Sequence, residues 1–258
     1  MMRTRWSLAL VASLAVGASG CSVLFSLDDY RVDSKYRDEV MADRPLVYWR
    51  FGEPSGLVAS DELSARDGTY GNGVTLGAAG AIAGDPDTAV TFNGAVDSSV
   101  AMPAGLEFSG TMPFSVEVWA RQTAFRNFGW VIDHQDYQVP RKGWGLRFSS
   151  AHVALERWTN DAYAGPNVLS DGPLTLDTYQ HIVATFDGDR LALYIDGALV
   201  SDVTGGRAIA PVTDTWRVGR QNCACSSDNF VGSLDELAIY GVALDATRVT
   251  AHYTAAGR

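Results

Sequence analysis

The sequence predicts an all-β chain, a two-sheet antiparallel sandwich closed by a short C-terminal helix. Three observations carry this expectation. The acids are 23 Asp against 7 Glu and the bases 18 Arg against 2 Lys, so the usual helix-surface residues are scarce. The 26 Gly, together with the Asp, supply turns. Short apolar runs alternate with polar positions, and no βαβ alternation is present. With 47% hydrophobic and 10% aromatic residues the 258-residue chain can fill a core, which excludes global disorder. A formal net charge of −10 argues against nucleic acid or an anionic membrane surface as an electrostatic partner.

The first segment reads as an address rather than as fold. Arg3 and Arg5 precede Trp6 to Val16, an apolar run. It falls short of the ~20 residues that span a bilayer and fits a secretory signal. The run ends in Gly17-Ala18-Ser19-Gly20-Cys21, which resembles a bacterial lipobox, with Ala18 where the pattern prefers Leu. The resemblance implies a lipoprotein signal peptide over residues 1–20 and acylation of Cys21. The chain would then be exported and lipid-anchored to a bacterial membrane, at the outer membrane or cell surface. An ordinary cleaved signal with an incidental cysteine is the alternative. Residues 21–44 are polar and acidic and read as a tether, with a short helix around Ser34 to Ala42.

Strands follow in series. Leu46 to Phe51 opens it, then Ala89 to Phe92 and Ser99 to Met102. Phe114 to Arg121 alternates, with Phe114, Val116, Val118 and Ala120 on one face and Ser115, Glu117, Trp119 and Arg121 on the other. Trp130 to Ile132, Trp144 to Phe148 and Val153 to Trp158 come next. Tyr179 to Val200 is a three-strand meander whose second turn, Asp196-Gly197, is the two-residue hairpin signal. Thr215 to Gly219 and Phe230 to Tyr240 end the series. Asp245 sits at an N-cap position before a helix from Ala246 to Ala255, which puts Val249 and Tyr253 on one face.

If Cys21 is lipidated, Cys223 and Cys225 remain. In an oxidising compartment a disulfide across one residue would stiffen the loop. Free thiols, or a metal or redox pair, are the alternatives, and two thiols alone fall short of a four-ligand zinc site.

The ordered strand motifs reach a family. Val47-Tyr-Trp-Arg-Phe-Gly-Glu53, Ala89-Val-Thr-Phe-Asn-Gly94, Phe114-Ser-Val-Glu-Val-Trp119, His181-Ile-Val-Ala-Thr-Phe-Asp-Gly188, Leu193-Tyr-Ile-Asp-Gly197 and Gly232-Ser-Leu-Asp-Glu-Leu-Ala-Ile-Tyr240 occur in the order of the laminin G-like, concanavalin A-like jelly-roll superfamily. Residues 45–258 therefore resemble one such jelly-roll domain. The resemblance is specific for fold and poorly specific for ligand, since the fold hosts lectins, adhesion modules, lyases and glucanases.

Four chemistries are weighed on these residues. Glycoside hydrolysis needs paired carboxylates at a fixed separation. The Glu-x-Asp-x-(x)-Glu strand of related glucanases is missing, and His134, His152, His181 and His252 sit singly in sequence, so no enzymatic activity is expected. Similar jelly rolls hold a structural Ca²⁺, and the resemblance would place Glu53, Asp61 and Asp235 around it; Asp61 and Asp235 as turn caps are the alternative. Carbohydrate recognition needs aromatic faces beside polar groups. Among His134, Asp136, Tyr137, Arg141, Trp144, Trp158, Asn160, Asp161 and Tyr163, the ligand-binding candidates are Trp158, Tyr163, Asp136 and Trp144. The loop after Trp216, with Arg220, Asn222 and Asn229, either meets a partner or stabilises the fold. The expected function is non-catalytic recognition of a carbohydrate or glycosylated surface, with a protein-interaction or adhesion module serving an envelope partner as the first alternative and a glycan-cleaving enzyme as the second.

Overall fold

The computed structural model describes residues 35–258, except 139, 160–161, 164–167, 170–173, 207, 214 and 224–228; residues 159, 162–163 and 168–169 are described by their backbone alone. The signal peptide, Cys21 and Cys225 lie outside the described residues. The chain opens with α1 (Lys35–Ala42), β1 (Val47–Trp49), β2 (Val58–Ala59), β3 (Gly68–Tyr70), β4 (Thr75–Ala79), β5 (Thr88–Asn93) and β6 (Val100–Met102). The middle holds β7 (Phe114–Gln122), β8 (Arg126–Asp136), β9 (Lys142–Ser150), β10 (His152–Thr159), β11 (Ala162–Tyr163) and β12 (Val168–Leu169). It closes with β13 (Gln180–Phe186), β14 (Leu191–Ile195), β15 (Ala198–Val203), β16 (Trp216–Val218), β17 (Val231–Tyr240) and α2 (Ala246–Ala255).

These strands form two antiparallel sheets, as a jelly-roll sandwich requires. The first has the order β15-β14-β13-β7-β17-β5-β4, with β1 also paired to β17. The second has the order β11-β10-β9-β8-β16-β6-β3-β2, with β12 also on β10. Strand β7 shows how the period-2 pattern builds the sandwich. Phe114, Val116, Val118 and Ala120 enter the core between the sheets, where they join Trp144, Leu146, Leu155 and Trp216 of the second sheet. Phe114 and Trp144 have ring centroids 4.5 Å apart, and Trp144 and Trp216 meet edge to face at 5.1 Å. Asp196 (φ 51°) and Gly197 (φ 76°) take the left-handed backbone that a tight hairpin turn needs, joining β14 to β15.

The other face of the first sheet is also covered. Trp119, Val183, Tyr194, Ala238 and Tyr240 pack under Tyr36 and Val40 of α1 and Val249 of α2. The Asp245 side chain caps α2 by accepting the Arg248 N–H at 2.9 Å. This corrects the expected boundary at residue 45. Tyr36 and Val40 are wholly buried, and Arg248 of α2 bonds Asp43 (2.8 Å) and Glu39 (2.7 Å), so residues 35–43 belong to the folded domain rather than to a tether. Their polar composition hid this, because the apolar contact is made by a few side chains, Tyr36 and Val40 with Met41 beside them.

Candidate functional site

The outer face of the second sheet gathers the polar and aromatic chemistry. Trp144, Leu146 and Phe148 of β9 and Val153 and Leu155 of β10 point inward, so Gly145, Arg147, Glu156 and Trp158 point outward. In register with them across β8 stand Trp130 (opposite Arg147), Asp133 (opposite Gly145) and Gln135 (opposite Gly143). Arg217 of β16 pairs with Asp133 on the far side. Gly145 is required here: a Cβ at that position would stand 2.4 Å from Trp130 Cζ3, so the indole occupies the space a side chain would take.

Loops complete the face. The Arg141 guanidinium lies over Trp158 (4.0 Å to the centroid) and over Tyr137 (4.5 Å), and its Nη2 donates to Gln135 Oε1 at 2.8 Å. Arg147 Nε donates to Glu156 Oε1 at 2.7 Å. Asp133 Oδ2 accepts the Tyr137 hydroxyl (2.6 Å) and the Asn222 N–H (2.8 Å), whereas its Oδ1 has no hydrogen-bond partner among the described residues. Trp130 Nε1 and Gln135 Nε2 are likewise buried without partners there. Burial pushes the Asp133 carboxyl up to about 7 against the pull of Tyr137 and Asn222, and it raises the Tyr137 hydroxyl as well.

The expected site residues separate on this geometry. Trp158 is on the face, and β11 pairs Tyr163 directly opposite it, although the Tyr163 side chain is outside the description. Asp136 ends β8 and caps the next turn by accepting the Gln138 N–H at 2.9 Å. Trp144 and His134 are corrections. Trp144 is an inward residue at 0% exposure, and His134 stacks on the core Trp216 at 4.4 Å, so neither is free to meet a ligand. Asn160 and Asp161 lie outside the described residues. Trp130, Asp133, Arg147 and Glu156 were not singled out as ligand contacts; alternation in β9 and β10 carried the signal for Arg147 and Glu156 once the inward parity was known, whereas the register shift between Trp130 and Ile132 breaks it in β8. Asn229 is structural, since its Nδ2 donates to the Gly94 carbonyl and its Oδ1 accepts the Gln221 N–H. Cys223 is disulfide-bonded.

The expected metal set does not fit one cation. Asp61 Oδ1 accepts the N–H of Tyr48 (2.9 Å) and Leu63 (3.3 Å), and Oδ2 those of Ala65 (3.1 Å) and Arg66 (2.9 Å). Glu53 accepts from the Ser60 N–H and the Tyr70 hydroxyl, and Asp235 Oδ2 accepts from the Ala81 N–H. Only Asp235 Oδ1 is left over, and among the described residues no three His, Cys, Asp or Glu side chains are grouped to hold a metal.

A second polar centre lies under the helices. Glu117 accepts from Tyr36 (2.8 Å) and Tyr240 (2.6 Å) and contacts His181 Nε2 at 2.7 Å and His252 Nδ1 at 2.9 Å. His252 Nε2 faces Asp43 at 3.0 Å. Two of the four histidines, His181 and His252, thus share one carboxylate although they stand apart in sequence. This centre is wholly buried and ties α1 and α2 to the first sheet. A groove of about 670 Å³ between those helices, lined by Lys35, Glu39, Thr247 and Thr250 among others, presents no aromatic face.

Comparison with known proteins identifies the architecture. The laminin G profile described as the concanavalin A-like lectin/glucanases superfamily matches residues 92–250. No curated protein sequence matches. Among solved structures, the binding domain of Paraclostridial Mosquitocidal Protein 1 is similar at TM-score 0.65 and 14% identity, over 81% of this chain and 51% of that one. The Botulinum Neurotoxin serotype G binding domain is similar at TM-score 0.61 and 15% identity, over 81% and 50%. This chain therefore spans about half the length of those two domains. Domain 4 of AbnA, a GH43 extracellular arabinanase from Geobacillus stearothermophilus in complex with arabinotriose, is similar at TM-score 0.59 and 19% identity, over 81% of this chain and 97% of that one. The chain belongs to the concanavalin A-like lectin/glucanase superfamily.

Proposed function

We propose that this member of the superfamily is a non-catalytic carbohydrate-binding module, exported and held at a bacterial envelope by a lipid on Cys21. The carrying observation is the outer side of the second sheet, where Tyr137 and Arg141 stand half-buried at the edge of Trp158, Asp133, Gln135, Arg147 and Glu156. Aromatic rings pack on the C–H faces of sugars, while guanidinium, carboxamide and carboxylate groups bond the hydroxyls. The arabinotriose in the similar arabinanase domain supports a glycan as the ligand class. Non-catalytic recognition is supported by the state of the carboxylates. Glu156 is ion-paired to Arg147 and Asp133 is tied to Tyr137 and Asn222, whereas hydrolysis needs an acid and a second carboxylate free to face the scissile bond. The test is a titration of the chain with a glycan panel that includes arabinotriose, read by tryptophan fluorescence. At least one glycan is expected to bind, and Trp158→Ala is expected to weaken it by about tenfold. Silence across the panel, with capture of one envelope protein instead, would replace this reading with an adhesion module.

A further inference from the structure

Phe125 and Phe128 are each 47% exposed, and among the described residues no other aromatic side chain is classed with them; the rest are buried or half-buried. They stand at the end of the second sheet away from Trp158. Trp158 pairs with Gly143, which stands opposite Gln135 of β8, so Phe128 lies seven residues back along that strand, about 20 Å away. There the ladder between β8 and β9 slips. Arg126 pairs with Ser150 and Gly129 with Phe148, so three steps on β8 answer two on β9. A bulge of this kind re-aims side chains. Plain alternation would turn either Asn127 or Phe128 toward the core, yet both are exposed. Phe125 precedes the strand in the turn from β7.

The Phe128 ring is backed by its neighbours. The Arg147 guanidinium lies over it, 5.1 Å from the centroid, and 5.8 Å from the buried Trp130 ring. Arg147 is itself held by Glu156, through Nε at 2.7 Å and through Nη2, and by the Asn127 carbonyl, through Nη1 at 2.9 Å. The Ser150 hydroxyl donates to Asn127 Oδ1 at 2.9 Å and braces the bulge. The platform is therefore ordered in advance, which lowers the cost of binding. A guanidinium carries five N–H groups and these bonds occupy three, so among the described residues Arg147 keeps donors beside the ring. Its charge is offset by Glu156. Exposed aromatic faces next to hydrogen-bond donors of balanced charge match the C–H faces and hydroxyls of an uncharged sugar. Resting on the carbohydrate reading above, we propose that Phe125 and Phe128 form a second glycan subsite, which takes a neutral oligosaccharide on its two phenyl rings while Arg147 donates to a hydroxyl. Three residues of chain reach at most ~10 Å, so the rings serve neighbouring units of one short oligosaccharide.

The experiment titrates the full chain by calorimetry with four neutral probes: arabinotriose, xylotriose, mannotriose and cellotriose. Phe128→Leu and Phe125→Leu keep apolar bulk and remove the ring, and each is expected to weaken the bound trisaccharide about 5- to 10-fold. Phe128→Trp is expected to retain the affinity. A protein or lipid partner, which needs only apolar area, would tolerate leucine. Affinity should change less than about twofold between about 0.05 and 0.5 M NaCl, as an uncharged ligand requires. Both positions are exposed, so urea midpoints of the variants should match wild type and exclude misfolding as the cause. In Trp158→Ala, the binding that remains should be removed by adding Phe128→Leu. Glycan binding that is unchanged in both leucine variants, or that collapses with salt, overturns this subsite and leaves the carbohydrate reading standing. Binding of none of the four probes also overturns the subsite, and silence across the wider glycan panel overturns the carbohydrate reading with it.

Discussion

Glu117 and Asp133 are both wholly buried carboxylates, and each lies on the outer side of one sheet of the sandwich. Their electrostatics are opposite. Burial would raise the Glu117 carboxyl, but the charge of His252 and the hydrogen bonds of His181 and His252 outweigh it and hold the group well below the usual range. Burial also works against the charged form of His252, yet Glu117 and Asp43 raise its pKa. The contacts agree, because a histidine whose two ring nitrogens both face carboxylates can satisfy both only as imidazolium. Asp133 has one hydroxyl and one N–H on a single oxygen and, among the described residues, no cation in ion-pair contact, so burial prevails and carries it to about 7. Equal burial thus gives a completed ion network on the helix-covered sheet and an under-compensated polar face on the other. The first has the character of a structural fastening; the second has polar capacity left for a ligand.

The largest expected effect breaks the completed side. Glu117→Ala leaves an imidazolium and two tyrosine hydroxyls buried without their acceptor, and should cost about 3–5 kcal/mol in urea unfolding. A loss under about 1 kcal/mol would mean that the helices are held by apolar contact alone. On the other sheet, Gly145→Ala forces a methyl against the Trp130 ring and should cost about 1–3 kcal/mol, with a change in the emission of the folded state. Unchanged emission would place the indole elsewhere.

The pH-dependent effect is the most diagnostic. Because the Asp133 pKa is raised on folding, the native state holds its proton more tightly than the unfolded chain, whose Asp titrates near ~3.9. This stabilising contribution is complete below that value and is lost as pH climbs to about 7. Asp133→Asn, which cannot titrate, should equal wild type at pH 4 and exceed it at pH 8 in unfolding experiments, by no more than the ~4 kcal/mol that a shift of about three pH units represents. A constant difference across that range would show that Asp133 titrates normally in the fold. The network side responds in the other sense at its acidic end. The Glu117 contribution is present above its unfolded value and declines as pH falls through its depressed native one, while the His252 contribution is lost as pH rises through its raised one.

Much of the architecture was legible from local pattern. Alternation in Phe114 to Arg121 separated the two faces of β7, Asp196-Gly197 marked the β14–β15 hairpin, and Asp245 marked the cap of α2. The site was only partly legible. Trp158 lies on the outer side of the second sheet, but Trp144 belongs to the core, and Trp130, also on the outer side, was read only as part of a strand. Alternation divides a strand into two faces without saying which one enters the sandwich, and a large aromatic fits either description. The helix-covered sheet hides the distinction further, since Trp119 faces away from the core between the sheets and is still fully buried.

What the sequence determined alone is therefore the set of strands, their turns and the two-layer class, because period, turn chemistry and capping act over a few neighbouring residues. The tertiary structure decided which charges meet. Tyr36, His181, Tyr240 and His252 reach Glu117 from 64 to 135 residues away. Asn222 reaches Asp133 across 89. Such meetings depend on strand order and on how completely each face is covered, and these are settled only when the sheets pair and close over the core.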